Sequence, residues 1–163
     1  MQLVMNYSNI QVDFVRRTQQ NLDYLAQHGI ESQKDFNEVT NLINNMLGLI
    51  CYPNETRDEK IQQLSITPNP NVQDRSQYGD IYVCLNTNGD ISNSFDDIKR
   101  HLRNAVCHGR FIPYKINAQN EIEELRFQDF NGNVKNFDMI MSIAQMRRFV
   151  EEISNQYLSK SLK

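Results

Sequence analysis

The chain has 163 residues, 39% of them hydrophobic and 23% charged, with a net charge of -3. That is room for one ordinary domain spanning 1–163 with a modest core, and not for two. The acidic balance argues against a protein that coats nucleic acid through bulk charge, but it leaves a local basic site open.

The first apolar period is Ile10, Phe14, Val15, Leu22, Leu25 and Ala26, a helical spacing that His28-Gly29 brings to a stop. A second helix is expected from Phe36 to Ile50. Val39, Leu42, Ile43, Met46 and Leu47 make it apolar over more than half its girth, as a central helix of a bundle would be. Tyr52-Pro53 stops it, and a short helix from Pro53 to Leu64 is expected next. Residues 65–80 carry two prolines and no period, so they read as a loop. Ile81–Leu85 is a brief apolar run of either type, and Asn88-Gly89 turns the chain.

Ser94-Phe95-Asp96-Asp97 supplies an N-cap with an acid three residues on. The helix it opens runs through Ile98, Leu102, Ala105 and Val106 to Gly109. Ile122–Phe127 and Val134–Met141 flank Asn131-Gly132, the pattern of a β-hairpin. Ser142 and Gln145 form a second capping box. It starts a last helix through Ile143, Met146, Phe149, Val150, Ile153 and Tyr157, with a frayed tail over Ser159–Lys163. The expected fold is therefore mainly α: a bundle of four to five helices with a small C-terminal β-hairpin.

Charge is uneven along the chain. From Ile98 to Asn120 there is no Asp or Glu, yet the stretch holds Lys99, Arg100, Arg103, Arg110 and Lys115, with His101 and His108. A solvated helix face balanced by Asp96 and Asp97 is the plain alternative to a phosphate site. Asn104 and His108 are four residues apart and share a helix face, with His101 on nearly the same stripe. Arg103 lies about 140° round from His108 on an ideal helix, within reach of a long side chain or of a neighbouring protomer. Small Ala105 and Cys107 allow another helix to approach.

The phrase Arg103-Asn104-Ala105-Val106-Cys107-His108-Gly109 resembles the signature of the HEPN superfamily: Arg, four to six residues, then His, closing a helix. Two further segments resemble one bacterial and plasmid-borne branch of it. They are the central helix ending in Pro53-Asn54-Glu55 and the closing strand and helix from Phe137 to Ile153. The resemblance covers about residues 10–158, with 60–95 poorly matched. It implies an all-α, HEPN-like bundle that dimerises and is usually a metal-independent endoribonuclease, often a toxin or anti-phage effector. Carried over, Arg103, Asn104 and His108 become the catalytic set. Some members carry a Tyr two residues after the His, where a partner antitoxin can modify it. Here that position is Arg110.

These residue types suit attack by RNA's own 2′-OH. A His titrates near neutral pH, and an Arg forks onto two phosphate oxygens. Asn104 can orient the His or donate to phosphate. Lys99, Arg100, His101 and Arg110 are the expected RNA contacts, His101 as a surface residue. No cofactor or metal is expected: His101 and His108 lie about two turns, roughly 10 Å, apart, too far for one ion. The expected partners are RNA, a second copy of the chain and an antitoxin or immunity protein. The alternative is a non-catalytic HEPN-like module that binds a nucleotide or RNA. Neither a P-loop nor a Rossmann glycine motif is present, and nothing orients Cys107 as a nucleophile toward His108. The longest apolar run, Met46–Cys51, is far short of the ~20 residues that span a bilayer. The N-terminus lacks the pattern of a signal peptide. Three cysteines without Cys-x-x-Cys spacing give no zinc site and suit a reducing cytoplasm, so we expect a cytoplasmic protein with no membrane partner.

Overall fold

The computed structural model describes residues 10–28, 38–51, 78–92 and 94–161. Among the described residues, four helices and four strands follow one another in the order α1 (Ile10–His28), α2 (Glu38–Met46), β1 (Asp80–Cys84), α3 (Phe95–Cys107), β2 (Phe111–Ile116), β3 (Ile122–Asn131), β4 (Val134–Ser142) and α4 (Ile143–Ser161). A π-helical turn, Leu47–Cys51, continues α2. The short helix expected from Pro53 and most of the loop at 65–80 lie outside the described residues. Among the described residues no helix is long and apolar enough to cross a membrane.

The strands form one antiparallel sheet in the order β1-β4-β3-β2. This corrects the mainly α expectation. The hairpin at Asn131-Gly132 is present, with Gly132 at a φ of 58°. It is the centre of a sheet, however, and not an appendage. β1 is the ambiguous run after Gly79. β2 escaped notice because it is an edge strand: only Phe111 is half-buried, and Pro113 breaks the alternation. The all-α expectation came with the resemblance, and these two flanking strands overturn it.

The helices cover one face of the sheet. Leu125 and Phe127 of β3, Phe137, Met139 and Met141 of β4, and Cys84 of β1 are buried there. They meet Phe95, Ile98, Leu102, Ala105 and Val106 of α3 and Met146, Phe149, Val150, Ile153 and Tyr157 of α4. Val15 and Leu22 of α1 and Leu42, Met46, Leu49 and Ile50 from α2 and its π turn join this core. The predicted apolar periods of α3 and α4 are thus the faces that are buried.

Capping follows the sequence. The Ser94 hydroxyl accepts from the Asp97 N–H at 3.1 Å. At α4 the box is reciprocal: the Gln145 N–H donates to Ser142 Oγ at 3.2 Å, and the Ser142 N–H to Gln145 Oε1 at 2.8 Å. α4 continues to Ser161, past the expected end at Ser159.

Candidate active site

The site is built where α3 ends and turns into β2. His108 is the C-cap of α3 (φ -99°, ψ 7°). Gly109 follows with a φ of 63°, in the left-handed region. The Gly109 N–H donates to Val106 O at 3.2 Å and the Arg110 N–H to Ala105 O at 2.7 Å. This is the Schellman arrangement, which only a residue tolerant of positive φ allows. It sends the chain back at once along the sheet, where the Gln128 N–H bonds Arg110 O at 3.0 Å.

Arg103 and Asn104 sit half-buried one turn before this end. The Arg103 guanidinium donates twice to Asn104 Oδ1, from Nε at 3.2 Å and Nη2 at 2.8 Å. Asn104 Nδ2 in turn donates to Asp129 Oδ2 at 2.9 Å. His108 is exposed, and its link to this pair is through the backbone, His108 N–H to Asn104 O at 3.0 Å.

Asp129, on β3, is 4% exposed. Besides Asn104 it receives His101 Nδ1 at 2.8 Å, Arg110 Nη1 at 2.8 Å and the Phe130 N–H at 3.0 Å. Burial pushes its carboxyl pKa up, but the hydrogen bonds from Asn104, His101 and the Phe130 N–H outweigh that. They hold it below the usual carboxylate value. Asp129 is therefore an acceptor, and the facing nitrogen of His101 is the donor. Sequence reasoning missed this residue, because the expected strand stopped at Phe127. The signal lay in the alternation: Leu125, Phe127 and Asp129 all point to the helix side, so a lone acid continues a buried stripe.

His101 is not the surface residue that its place on the stripe suggested. Its side chain is fully buried and stacks on Phe137, with ring centroids 5.1 Å apart and planes 12° from parallel. Its Nε2 lies 2.7 Å from Leu85 O, just after β1. The stripe shared with His108 breaks because β3 covers α3 at His101, while His108 lies beyond the last helical residue.

The remaining cations are held as well. Lys99 pairs with Asp96 at 3.1 Å. Arg100 Nη2 bonds Asp97 at 2.9 Å and Leu85 O at 2.9 Å. Lys115 pairs with Glu123 at 2.8 Å, and the Arg110 side chain also lies over the Phe130 ring. The stretch from Ile98 to Asn120 is free of acids in sequence but not in space: Asp96, Asp97, Glu123 and Asp129 reach it from outside.

The chain belongs to the HEPN superfamily. Within it, the family model described as HEPN pEK499 p136 matches residues 5–163, so this chain is a member of that family. No curated protein and no solved structure matches it.

Proposed function

We propose that this protein is a metal-independent endoribonuclease whose site combines Arg103, Asn104 and His108 from two copies of the chain, acting as a toxin or anti-phage effector in the cytoplasm. The observation that carries the reading is the Arg103–Asn104 pair, fixed at the end of α3 beside an exposed His108. Membership of the HEPN superfamily supports it.

The chemistry follows from the groups. The 2′-OH must lose a proton, the phosphorane must be relieved of charge, and the 5′-oxygen must gain a proton on leaving. His108 takes or supplies a proton. Arg103 holds two phosphate oxygens and keeps its charge throughout. Among the described residues one chain offers one exposed imidazole at this site, whereas base and acid are both needed. A two-fold pairing of α3 ends supplies the second and doubles the local positive charge. Lys99, Arg100 and Arg110 flank the path of the RNA, and His101 serves from inside. An antitoxin or immunity partner acts by covering this cleft.

The test is RNA incubated with purified protein in EDTA. Cleavage that leaves 2′,3′-cyclic or 2′(3′)-phosphate ends, and is lost in His108→Ala and Arg103→Ala, supports the reading. Activity that disappears in EDTA and returns with magnesium overturns it. Mixing wild-type with His108→Ala subunits should cost much of the activity. A monomer fully active on dilution excludes the shared site. The neutralisation of Lys99, Arg100 and Arg110 by carboxylates favours a second reading, a non-catalytic RNA- or nucleotide-binding module. Binding without cleavage in the same assay identifies it.

A further inference from the structure

Asp129 has every acceptor site filled. Oδ1 takes Arg110 Nη1 and the Phe130 N–H, and Oδ2 takes His101 Nδ1 and Asn104 Nδ2. A carboxylate offers about four lone-pair directions, so none is left for a substrate proton or a metal ion. A buried acid in that state neither takes part in proton transfer nor binds a ligand. What it does is hold its four donors.

One of those donors, the Asn104 amide, is fixed between Asp129 and Arg103. The two ends of the Asn104 amide are alike in shape and opposite in hydrogen bonding. One end faces Arg103, which only donates, and the other faces Asp129, which as a carboxylate only accepts. A single orientation satisfies both: Nδ2 to Asp129 and Oδ1 to the guanidinium. The carboxylate therefore points the amide, and the amide oxygen holds two nitrogens of Arg103. We infer that Asp129 is the positioning residue of the Arg103–Asn104 pair, setting where the guanidinium is aimed through the orientation of the Asn104 amide. The consequence for cleavage rests on the ribonuclease reading. The geometric content does not.

The substitution that isolates this role is Asp129→Asn, which keeps the size and removes the acceptor-only character. Its amide nitrogen must face donors on either side. Turned toward Oδ1's partners, it meets Arg110 and the Phe130 N–H. Turned toward Oδ2's, it meets His101 and the Asn104 amide nitrogen. Relief there requires the Asn104 amide to flip, which brings its NH2 against the Arg103 N–H groups and breaks both bonds. The double exchange Asn104→Asp with Asp129→Asn repairs the chain of contacts at unchanged net charge. The carboxylate at 104 accepts from Arg103 and from the new amide at 129. That amide keeps its oxygen for Arg110 and Phe130. His101 then accepts at Nδ1 while its Nε2 donates to Leu85 O, giving up the Arg100 Nη2 contact at 3.0 Å; Arg100 keeps Asp97 and Leu85 O.

The experiment follows the Arg103 Nε–H signal by NMR in 15N-labelled full-length protein, assigned through Arg103→Lys, alongside RNA cleavage in EDTA. In the wild type this proton is bonded, and its exchange with water is slowed. In Asp129→Asn we expect the signal to leave its wild-type position and its exchange with water to quicken, with kcat falling about 100-fold, the size of effect that a small misplacement of a catalytic group produces. In the double exchange the signal should return, and this NMR arm alone reads the repair, because Asn104 belongs to the proposed catalytic set. An unmoved Arg103 signal in Asp129→Asn overturns the inference. So does a double exchange that folds without restoring it, and that arm decides alone if the single variant does not fold. A single variant Asp129→Asn whose Arg103 signal moves while kcat is unchanged overturns the link from Arg103 placement to rate. If the wild type does not cleave RNA at all, the ribonuclease reading falls, while the NMR arm still decides the positioning role.

Discussion

The two histidines of the motif segment should respond oppositely to truncation. His101→Ala removes a ring that is fully buried. It deletes a hydrogen bond to an ionised carboxylate, worth about 1.5–3 kcal/mol. It also deletes a stacked contact with Phe137, worth about 0.5–1.5 kcal/mol. Asp129 keeps Asn104, Arg110 and the Phe130 N–H, so it is not stranded, which keeps the cost below that of a broken buried ion pair. The total is roughly 2–4.5 kcal/mol, a large part of the stability of an ordinary domain. With a urea slope of about 1–3 kcal/mol per molar, the unfolding midpoint should fall by about 2 M. His108→Ala trims an exposed C-cap side chain and should shift stability by no more than about 0.5 kcal/mol. Equilibrium unfolding in urea at pH 7, followed by circular dichroism, measures both. On the same preparations, RNA cleavage should vanish in His108→Ala although its unfolding curve matches the wild type. The assignment of one buried and one working histidine fails if His101→Ala costs less than about 1 kcal/mol, or if His108→Ala destabilises as strongly.

Asp138 gives a pH prediction. Burial raises its pKa, but bonds from Arg126, Lys135 and Gln128 prevail and hold it at about 2, against 3.8 unfolded. Its contribution is fully present above pH 3.8 and is lost as pH falls toward 2, with a ceiling of ~2 kcal/mol because Arg126 and Lys135 are partly exposed. Urea titrations of Asp138→Asn and wild type should differ at pH 7 and converge near pH 2. A gap independent of pH refutes it. Gly109→Ala has open space but a φ of 63°, so it should cost about 1 kcal/mol and lower cleavage by disturbing the His108–Arg110 turn. A thermal melt unchanged from wild type contradicts that. Gly79→Ala should cost more, on the order of 2–3 kcal/mol, since its Cβ would collide with Ile140 O at a φ of 133°. Full stability of that variant would show that the backbone yields there.

The signals legible in the sequence were local. Ser94 and Ser142 caps, Gly109 as a left-handed stop and Asn131-Gly132 as a turn all act within a few residues of themselves. The core faces of α3 and α4 were equally plain, because helical period and burial coincide there. The sheet was harder. β1 is five residues long, and β2 owes its place to pairing with β3 and not to its own pattern. The site divided in the same way. Arg103 and Asn104 carry the recognisable spacing on one helix. Asp129 belongs to the buried stripe of a strand, and nothing local to it says that its partners are His101, Asn104 and Arg110. His101 was misplaced because helical position alone does not tell which flank of α3 the sheet covers.

Asp129 lies 28 residues after His101, 25 after Asn104 and 19 after Arg110. Phe137, on which His101 stacks, comes later still. A chain is made from its N-terminus, so the whole Arg103–His108 signature is synthesised before Asp129 and Phe137, which hold Asn104 and His101. During that interval α3 can form, but the Asn104 amide has no carboxylate to face and His101 has no floor beneath its ring. The order of synthesis thus separates possession of the motif from possession of the site. A chain cut short anywhere between residues 109 and 128 carries every motif residue but lacks the carboxylate that orients the Asn104 amide, so a premature stop in this window yields a fragment with the signature but without the assembled centre.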